Sequence, residues 1–223
     1  MSKSVLVVVA HPDDEVLGCG GTIARHIAEG DSVQVVFMAD GLTSRRDGVV
    51  AELQEREKAR AAALDILGIS NFYALNFPDN RMDSVPLLDV VQRIEGIVKQ
   101  LQPMRVYTHH YCDLNVDHRI THQAVMTACR PVPKSSVREI LSFEVMSSTD
   151  WSTPGVAPFS PNAFVDISNF LSKKLQALAA YHMEMRPSPH SRSVANIEML
   201  ARHRGNCMGI AAAEAFAVAR MLL

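Results

Sequence analysis

The chain has 223 residues, enough for one well-buried core and, on size alone, for one or two domains. Its 22 basic and 24 acidic residues leave a net charge of −2, which gives no electrostatic basis for a nucleic-acid or polyanion partner. Cys19, Cys112, Cys129 and Cys207 form no C-x-x-C pair and are read as reduced thiols of a cytoplasmic protein. Met1–Ser4 runs straight into an apolar strand that is too short for a signal peptide or a membrane span.

The valine-rich run Val5–Ala10 suits a central parallel strand covered on both faces. A helix is expected from about Val16 to Glu29, closed by Gly30, followed by a strand over Ser32–Met38. A long helix from about Val49 to Leu67 stops at Gly68, and Phe72–Leu75 is a short strand. Pro86–Leu101 reads as a helix with Pro103 just past its end, Arg105–Thr108 as a strand, Ile120–Cys129 as a helix and Ile140–Val145 as a strand. This alternation predicts an α/β fold: a Rossmann-like, doubly wound, mostly parallel sheet. Ser147–Pro161 reads as a surface loop and Phe164–Ile167 as a short strand. Helices are expected over Leu171–Met185 and Val194–Arg204, and Ala211–Leu223 is ambiguous between helix and strand. This last third is expected to be a helical and loop appendage completing a single domain over residues 1–223.

In an open parallel sheet, ligands bind beyond the carboxyl ends of the strands. The first such end carries His11-Pro12-Asp13-Asp14-Glu15, one imidazole and three carboxylates in five residues. Carboxylates this close repel one another unless a cation or a helix N-terminus stabilises them, and His nitrogen and Asp oxygen are both zinc ligands. A simple helix cap accounts for one carboxylate but leaves His11 and the second Asp without a role. Gly18-Cys19-Gly20-Gly21 is a poor dinucleotide fingerprint: the turn after the strand is acidic and the glycines fall inside the helix, where they permit close packing against the sheet.

The fourth strand ends in Thr108-His109-His110, followed by Tyr111-Cys112-Asp113-Leu114-Asn115-Val116-Asp117-His118-Arg119. His118 supplies a third zinc ligand, and two His with one Asp leave a fourth position for water. Asp117 fits a supporting partner for a ligating histidine or for the substrate. His118 and His122 match half of an H-E-x-x-H motif, but Arg119 stands beside His118 where that motif has its Glu, so His122 is read as packed nearby. His109 and His110 alternate across the strand end, so at most one of them easily faces the pocket. On the second helix, Leu53, Arg56, Arg60, Leu64 and Leu67 share one stripe. Either its first half projects into solvent, or Arg56 reaches a pocket and binds a polar or anionic group.

Ala10-His11-Pro12-Asp13-Asp14-Glu15 and the later Asp113-Leu114-Asn115-x-Asp117-His118-Arg119 together resemble the PIG-L / LmbE-like deacetylases, zinc-dependent N-acetylglucosaminyl deacetylases and related amidases. The resemblance covers nearly the whole chain. Phe143-Glu144-Val145, Ser147-Ser148-Thr149, Pro161-Asn162, Pro189-His190, Arg192-Ser193 and Ala213-Glu214-Ala215-Phe216 resemble one bacterial branch. It implies His11, Asp14 and His118 as zinc ligands, Asp13 as general base, Arg56 as a substrate contact, and Asp79 and Met82 on a substrate-facing loop. Asn115 stands where many members have an oxyanion-stabilising histidine. Either its amide donates that hydrogen bond, or His109, His110 or His190 reaches in. Asp117 and Asn115 are accordingly grouped with Asp13 as catalytic, and His110, His190 and Arg192 with the substrate.

The expected chemistry is removal of an N-acetyl group from a small amino-sugar substrate by zinc-activated water. Its rivals are a nucleotide-binding oxidoreductase, a non-catalytic sugar- or metal-binding relative and a two-metal phosphoesterase, which usually needs more ligands than this chain offers. The sequence leaves the sugar and the oligomeric state open, although the resemblance implies relatives that often assemble as homo-oligomers.

Overall fold

The computed structural model describes residues 2–41 and 50–223, with side chains from residue 52 onward in the second stretch. The valine run forms β1 (Ser4–Val9), whose residues from Val5 onward are almost fully buried. It lies between β2 (Ser32–Ala39) and β4 (Arg105–His109), parallel to both. β3 (Phe72–Phe77) extends the sheet beyond β2, and β5 (Glu139–Phe143) extends it beyond β4, each in parallel. The order is β3-β2-β1-β4-β5-β7-β6, with β7 (Ala213–Met221) antiparallel to β5 and to β6 (Ala163–Asp166). From β1 the chain passes to β2 on one side and later enters β4 on the other. The loops at the carboxyl ends of β1 and β4 therefore diverge, leaving a crevice between them.

Helices cover both faces. α1 (Asp14–Ala28), α2 (Val50–Leu67), α5 (Leu171–Ala180) and α6 (Val194–Asn206) pack on one face through Leu17, Ile23, Leu64, Leu178 and Ile197. α3 (Leu87–Leu101) and α4 (Val116–Ala128) cover the other through Val91, Ile94 and Val125. Each such side chain removed from water contributes about 1.5–3 kcal/mol, so the site rests on a stiff double-sided core.

The glycines of α1 serve packing. A Cβ at Gly18 would lie 2.3 Å from the Phe143 ring, and one at Gly21 would lie 2.8 Å from Ile167. Between them the helix breaks at Cys19 (φ −148°, ψ 26°). Glu214 of β7 accepts the freed N–H groups of Gly21 and Thr22 at 2.9 and 2.6 Å. Lys174 of α5 donates to the Leu17 carbonyl at 2.9 Å and to Glu214 at 2.6 Å. The last third of the chain is therefore more than an appendage: it supplies two strands of the sheet and seals the first helix.

Most elements end within two residues of expectation, and the larger differences have local causes. α4 starts at Val116 rather than Ile120 because the Asn115 side chain accepts the N–H groups of Asp117 and His118 at 2.8 and 3.4 Å. α5 stops at Ala180, short of Met185. The ambiguous end is a strand, β7. Val49, the expected start of the second long helix, lies outside the described residues.

Candidate metal centre and cavity

The β1 loop turns sharply into α1. Asp13 stands at φ +119°, ψ −28°, a region that residues with a side chain rarely occupy. Its carbonyl accepts from Val16 and Leu17 at 3.1 and 2.9 Å, while its own N–H donates to Glu15 Oε2 at 3.0 Å. Asp13 makes no side-chain cap, and Asp14 Oδ2 instead accepts the His11 N–H at 2.9 Å. Both carboxylates are thereby left facing the crevice, which the capping explanation does not account for.

Across the crevice the N-terminus of α4 brings up His118. Asp14 Oδ2 lies 3.4 Å from His11 Nδ1 and 3.3 Å from His118 Nε2, and ligand atoms of the three residues all lie within 4.8 Å of one another. Hydrogen-bonded N–H···O pairs usually sit at about 2.7–3.2 Å. Three donors each about 2.05 Å from a tetrahedral zinc stand roughly 3.3 Å apart. The two measured separations match the second arrangement, so the donor set fits a zinc ion.

The outer nitrogens of both imidazoles are held by carboxylates. His11 Nε2 donates to Asp117 Oδ2 at 3.1 Å and lies 3.2 Å from Asp79 Oδ1. Asp117 also accepts the backbone N–H groups of Asn80 and Met82, at 2.7 and 3.0 Å, which ties the loop after β3 to the centre. His118 Nδ1 faces Asp113 Oδ1 at 3.2 Å, and Asp113 is fixed by Ser148 and by Thr149 at 2.6 Å. In the neutral imidazoles these bonds favour the tautomer with its proton outward and its lone pair inward, as metal-bound histidines require.

Charge in the cluster points the same way. Burial disfavours a charged His118, but Asp14 and Asp113 outweigh it and raise the imidazole to about 9. Burial likewise opposes a charged His11, and Asp117, Asp14 and Asp79 overcome it, raising it well above its ordinary value. Asp14 is pulled well below the usual carboxylate range, against its burial, by His118, His109 and His11. The carboxylates of the cluster thus favour positive charge at its imidazoles, which protons or a cation can supply. Burial pushes the Asp13 carboxyl up to about 6, although Arg192, 3.0 Å away, pulls it back.

These groups form the floor of a cavity of about 350 Å³. Asp79, Asn80, Asn115, Arg56, Arg192 and Glu184 form much of its polar wall. Arg56 is buried, donates to the carbonyls of Gly41 and, at 3.4 Å, Pro12, and pairs with Glu184 at 3.2 Å. The stripe thus divides: Arg56 reaches the cavity, while Arg60 lies over the Phe72 ring at 4.6 Å.

Other expected residues lie elsewhere. Met82 is fully buried in the α3–α4 core and meets the centre only through its backbone. His110 turns away to the Ala157 carbonyl at 3.3 Å and packs against Phe159. His190 stands behind the cavity wall, its Nδ1 accepting the Arg192 N–H at 3.0 Å. His109 is buried against His118, with ring centroids 3.9 Å apart, and its Nε2 accepts the Ala10 N–H at 2.9 Å. His122 donates to the His109 carbonyl at 2.8 Å. Sequence reasoning does not single out Asp113, Ser148, Glu184 or Trp151 as site residues. Asp113 opens the motif that contains His118, and that position is its one available signal.

The sequence model of the family described as PIG-L, GlcNAc-PI de-N-acetylase, matches residues 6–129, a span that includes both loops of the candidate centre. The uncharacterized deacetylase YaiS of Escherichia coli is 36% identical over 182 residues, covering 79% of this chain and 89% of that one. A probable N-acetyl-alpha-D-glucosaminyl L-malate deacetylase 2 of Bacillus cereus is 28% identical over 191 residues, covering 82% and 84%. The crystal structure of a conserved protein from Thermus thermophilus, TT1542, superimposes with a TM-score of 0.80 at 29% identity, over 99% of this chain and 96% of that one.

Proposed function

The chain belongs to the PIG-L family, and from that premise we propose that it is a cytoplasmic zinc-dependent hydrolase that removes the N-acetyl group of an amino-sugar-containing small molecule. The observation that carries the reading is the donor triad of His11, Asp14 and His118, in which Asp14 Oδ2 stands 3.4 and 3.3 Å from the two imidazole nitrogens, with Asp13 on the same cavity floor. Bound there, zinc supplies a positive charge toward the scissile carbonyl and brings the pKa of water down to about 7.

The chain's own groups do the rest. Asp13, with its carboxyl near 6, takes a proton from the attacking water and returns it to the departing amine as the C–N bond breaks, leaving acetate and a free amine. Arg192 holds Asp13 in place and keeps part of it ionised. The Asn115 oxygen caps α4 and its amide nitrogen donates to Asn80 Oδ1 at 3.0 Å, so one amide hydrogen is left to offer the developing oxyanion. His110 and His190 do not line the cavity, which favours Asn115 for this role. Asp117 acts by orienting His11 and does not touch substrate in this reading. Arg56, Asp79 and Asn80 meet the sugar hydroxyls. Residues 1–223 act as one domain, since β6 and β7 complete the sheet that β1 begins.

No helix among the described residues is long and apolar enough to cross a membrane. The test is protein loaded with one zinc per chain and assayed against a panel of N-acetylated sugars. Acetate released in step with free amine supports the reading. Stoichiometric zinc without acetate from any sugar supports a non-catalytic binder instead.

A further inference from the structure

The turn that carries Asp13 is held from behind as well as from the cavity. Asp13 stands at φ +119°, and its carboxylate lies on the cavity floor and caps nothing. A residue with a side chain relaxes away from that region when its contacts loosen. The Asp13 carbonyl is fixed by the N–H groups of Val16 and Leu17. Its N–H, which sets the other side of the turn, is accepted by Glu15 Oε2 at 3.0 Å. Glu15 belongs to the same turn, so this bond holds the backbone only if Glu15 is itself anchored. The anchor is Tyr181, whose hydroxyl donates to Glu15 Oε1 at 2.7 Å from 166 residues further along the chain.

Tyr181 directly follows α5 and is 1% exposed, and Glu15 is fully buried. Neither is among the described residues that line the cavity. Apolar side chains of the same shape would fill this space at little or no cost in stability, so packing alone does not call for a buried hydroxyl and carboxyl. The same segment also reaches the other half of Asp13. The Glu184 N–H donates to the Tyr181 carbonyl at 2.9 Å, Glu184 pairs with Arg56, and Arg192 donates to Asp13 Oδ2 at 3.0 Å. Residues 181–192 thus grip Asp13 twice, its carboxylate through Arg192 and its backbone through Tyr181 and Glu15. We propose that Tyr181 is a positioning residue of the hydrolysis, holding through Glu15 the positive-φ backbone that aims Asp13 into the cavity. This inference rests on the deacetylase reading and adds to it a residue that lies outside the cavity.

Tyr181→Phe removes the hydroxyl and keeps the ring. Zinc-loaded wild type and variant are assayed on the N-acetylated sugar that the wild type turns over fastest, and zinc affinity is measured by equilibrium dialysis. In Tyr181→Phe kcat falls about tenfold while KM and zinc affinity are unchanged, because Asp13 is misplaced and the donor triad is not. Glu15→Leu loses at least as much, and Glu15→Gln, which still offers an oxygen to the Asp13 N–H, recovers most of kcat. Amide hydrogen exchange followed by NMR reads the turn itself: the Asp13 N–H exchanges about tenfold faster in Tyr181→Phe, and the His11 N–H, bonded to Asp14, keeps its rate. An unchanged kcat, parallel losses of kcat and zinc affinity, no recovery in Glu15→Gln, or an unchanged Asp13 exchange rate overturns the proposal. If the wild type releases no acetate from any sugar, the deacetylase reading fails. Exchange then decides alone: a faster Asp13 N–H upholds the hold of Tyr181 on this turn, and an unchanged one overturns it.

Discussion

Adding zinc to the metal-free protein at pH 7 releases at least one proton per ion. His118 is raised to about 9, so its imidazole is protonated at pH 7 while the cation is absent, and the carboxylates around His11 push that imidazole the same way. A ligating imidazole must be neutral, so a protonated one gives up its proton on binding. Asp14 is already ionised and contributes none. Each displaced proton raises the apparent affinity by up to about 10-fold per pH unit, and the His118 share of this dependence weakens as pH passes about 9 and His118 loses its proton unaided. Calorimetric titration in buffers of different ionisation enthalpy counts the protons directly. Release near zero at pH 7, or an affinity that is flat between pH 6 and 8, refutes the charge assignment of the triad.

Asp113→Ala frees His118 Nδ1 and weakens zinc binding about 10- to 100-fold, measured by equilibrium dialysis, with activity returning at high zinc. Asp13→Asn keeps zinc but lowers kcat by about 10²- to 10⁴-fold, measured as acetate release. Glu15 tests buried electrostatics apart from catalysis. Burial raises its carboxyl from 4.5 to about 8, against hydrogen bonds from Tyr181 and from the Asp13 N–H. The native state therefore favours the protonated acid, and this contribution, on the order of a few kcal/mol, is complete below pH 4.5 and lost as pH rises through about 8. Glu15→Gln is neutral throughout, so its thermal midpoint falls less between pH 5 and pH 9 than that of the wild type.

The centre was legible where chemistry is local. His11, Asp13 and Asp14 crowd into one turn at a strand end, and that crowding has few explanations other than a cation. His118 was legible because the alternation of strands and helices puts the β4 loop at the same end of the sheet. The supporting groups were not legible, because each depends on contacts between distant segments. Asp113 meets Ser148 and Thr149 from the β5 loop, and Glu214 reaches α1 from the last strand, nearly two hundred residues away. Met82 looked substrate-facing by motif, yet only its backbone faces the centre, because its apolar side chain gains more by burial in the core. The end of the chain was ambiguous because Ala213–Phe216 is apolar enough for either a buried helix or a strand. Pairing with β5 and β6 decides it.

The central claim is that one zinc ion is shared by the β1 and β4 loops. Anomalous diffraction at the zinc edge on crystals of zinc-loaded, acetate-releasing protein tests it most directly. The account predicts a single strong peak among His11 Nδ1, Asp14 Oδ2 and His118 Nε2. A peak elsewhere, or an active crystal with none at that position, contradicts it.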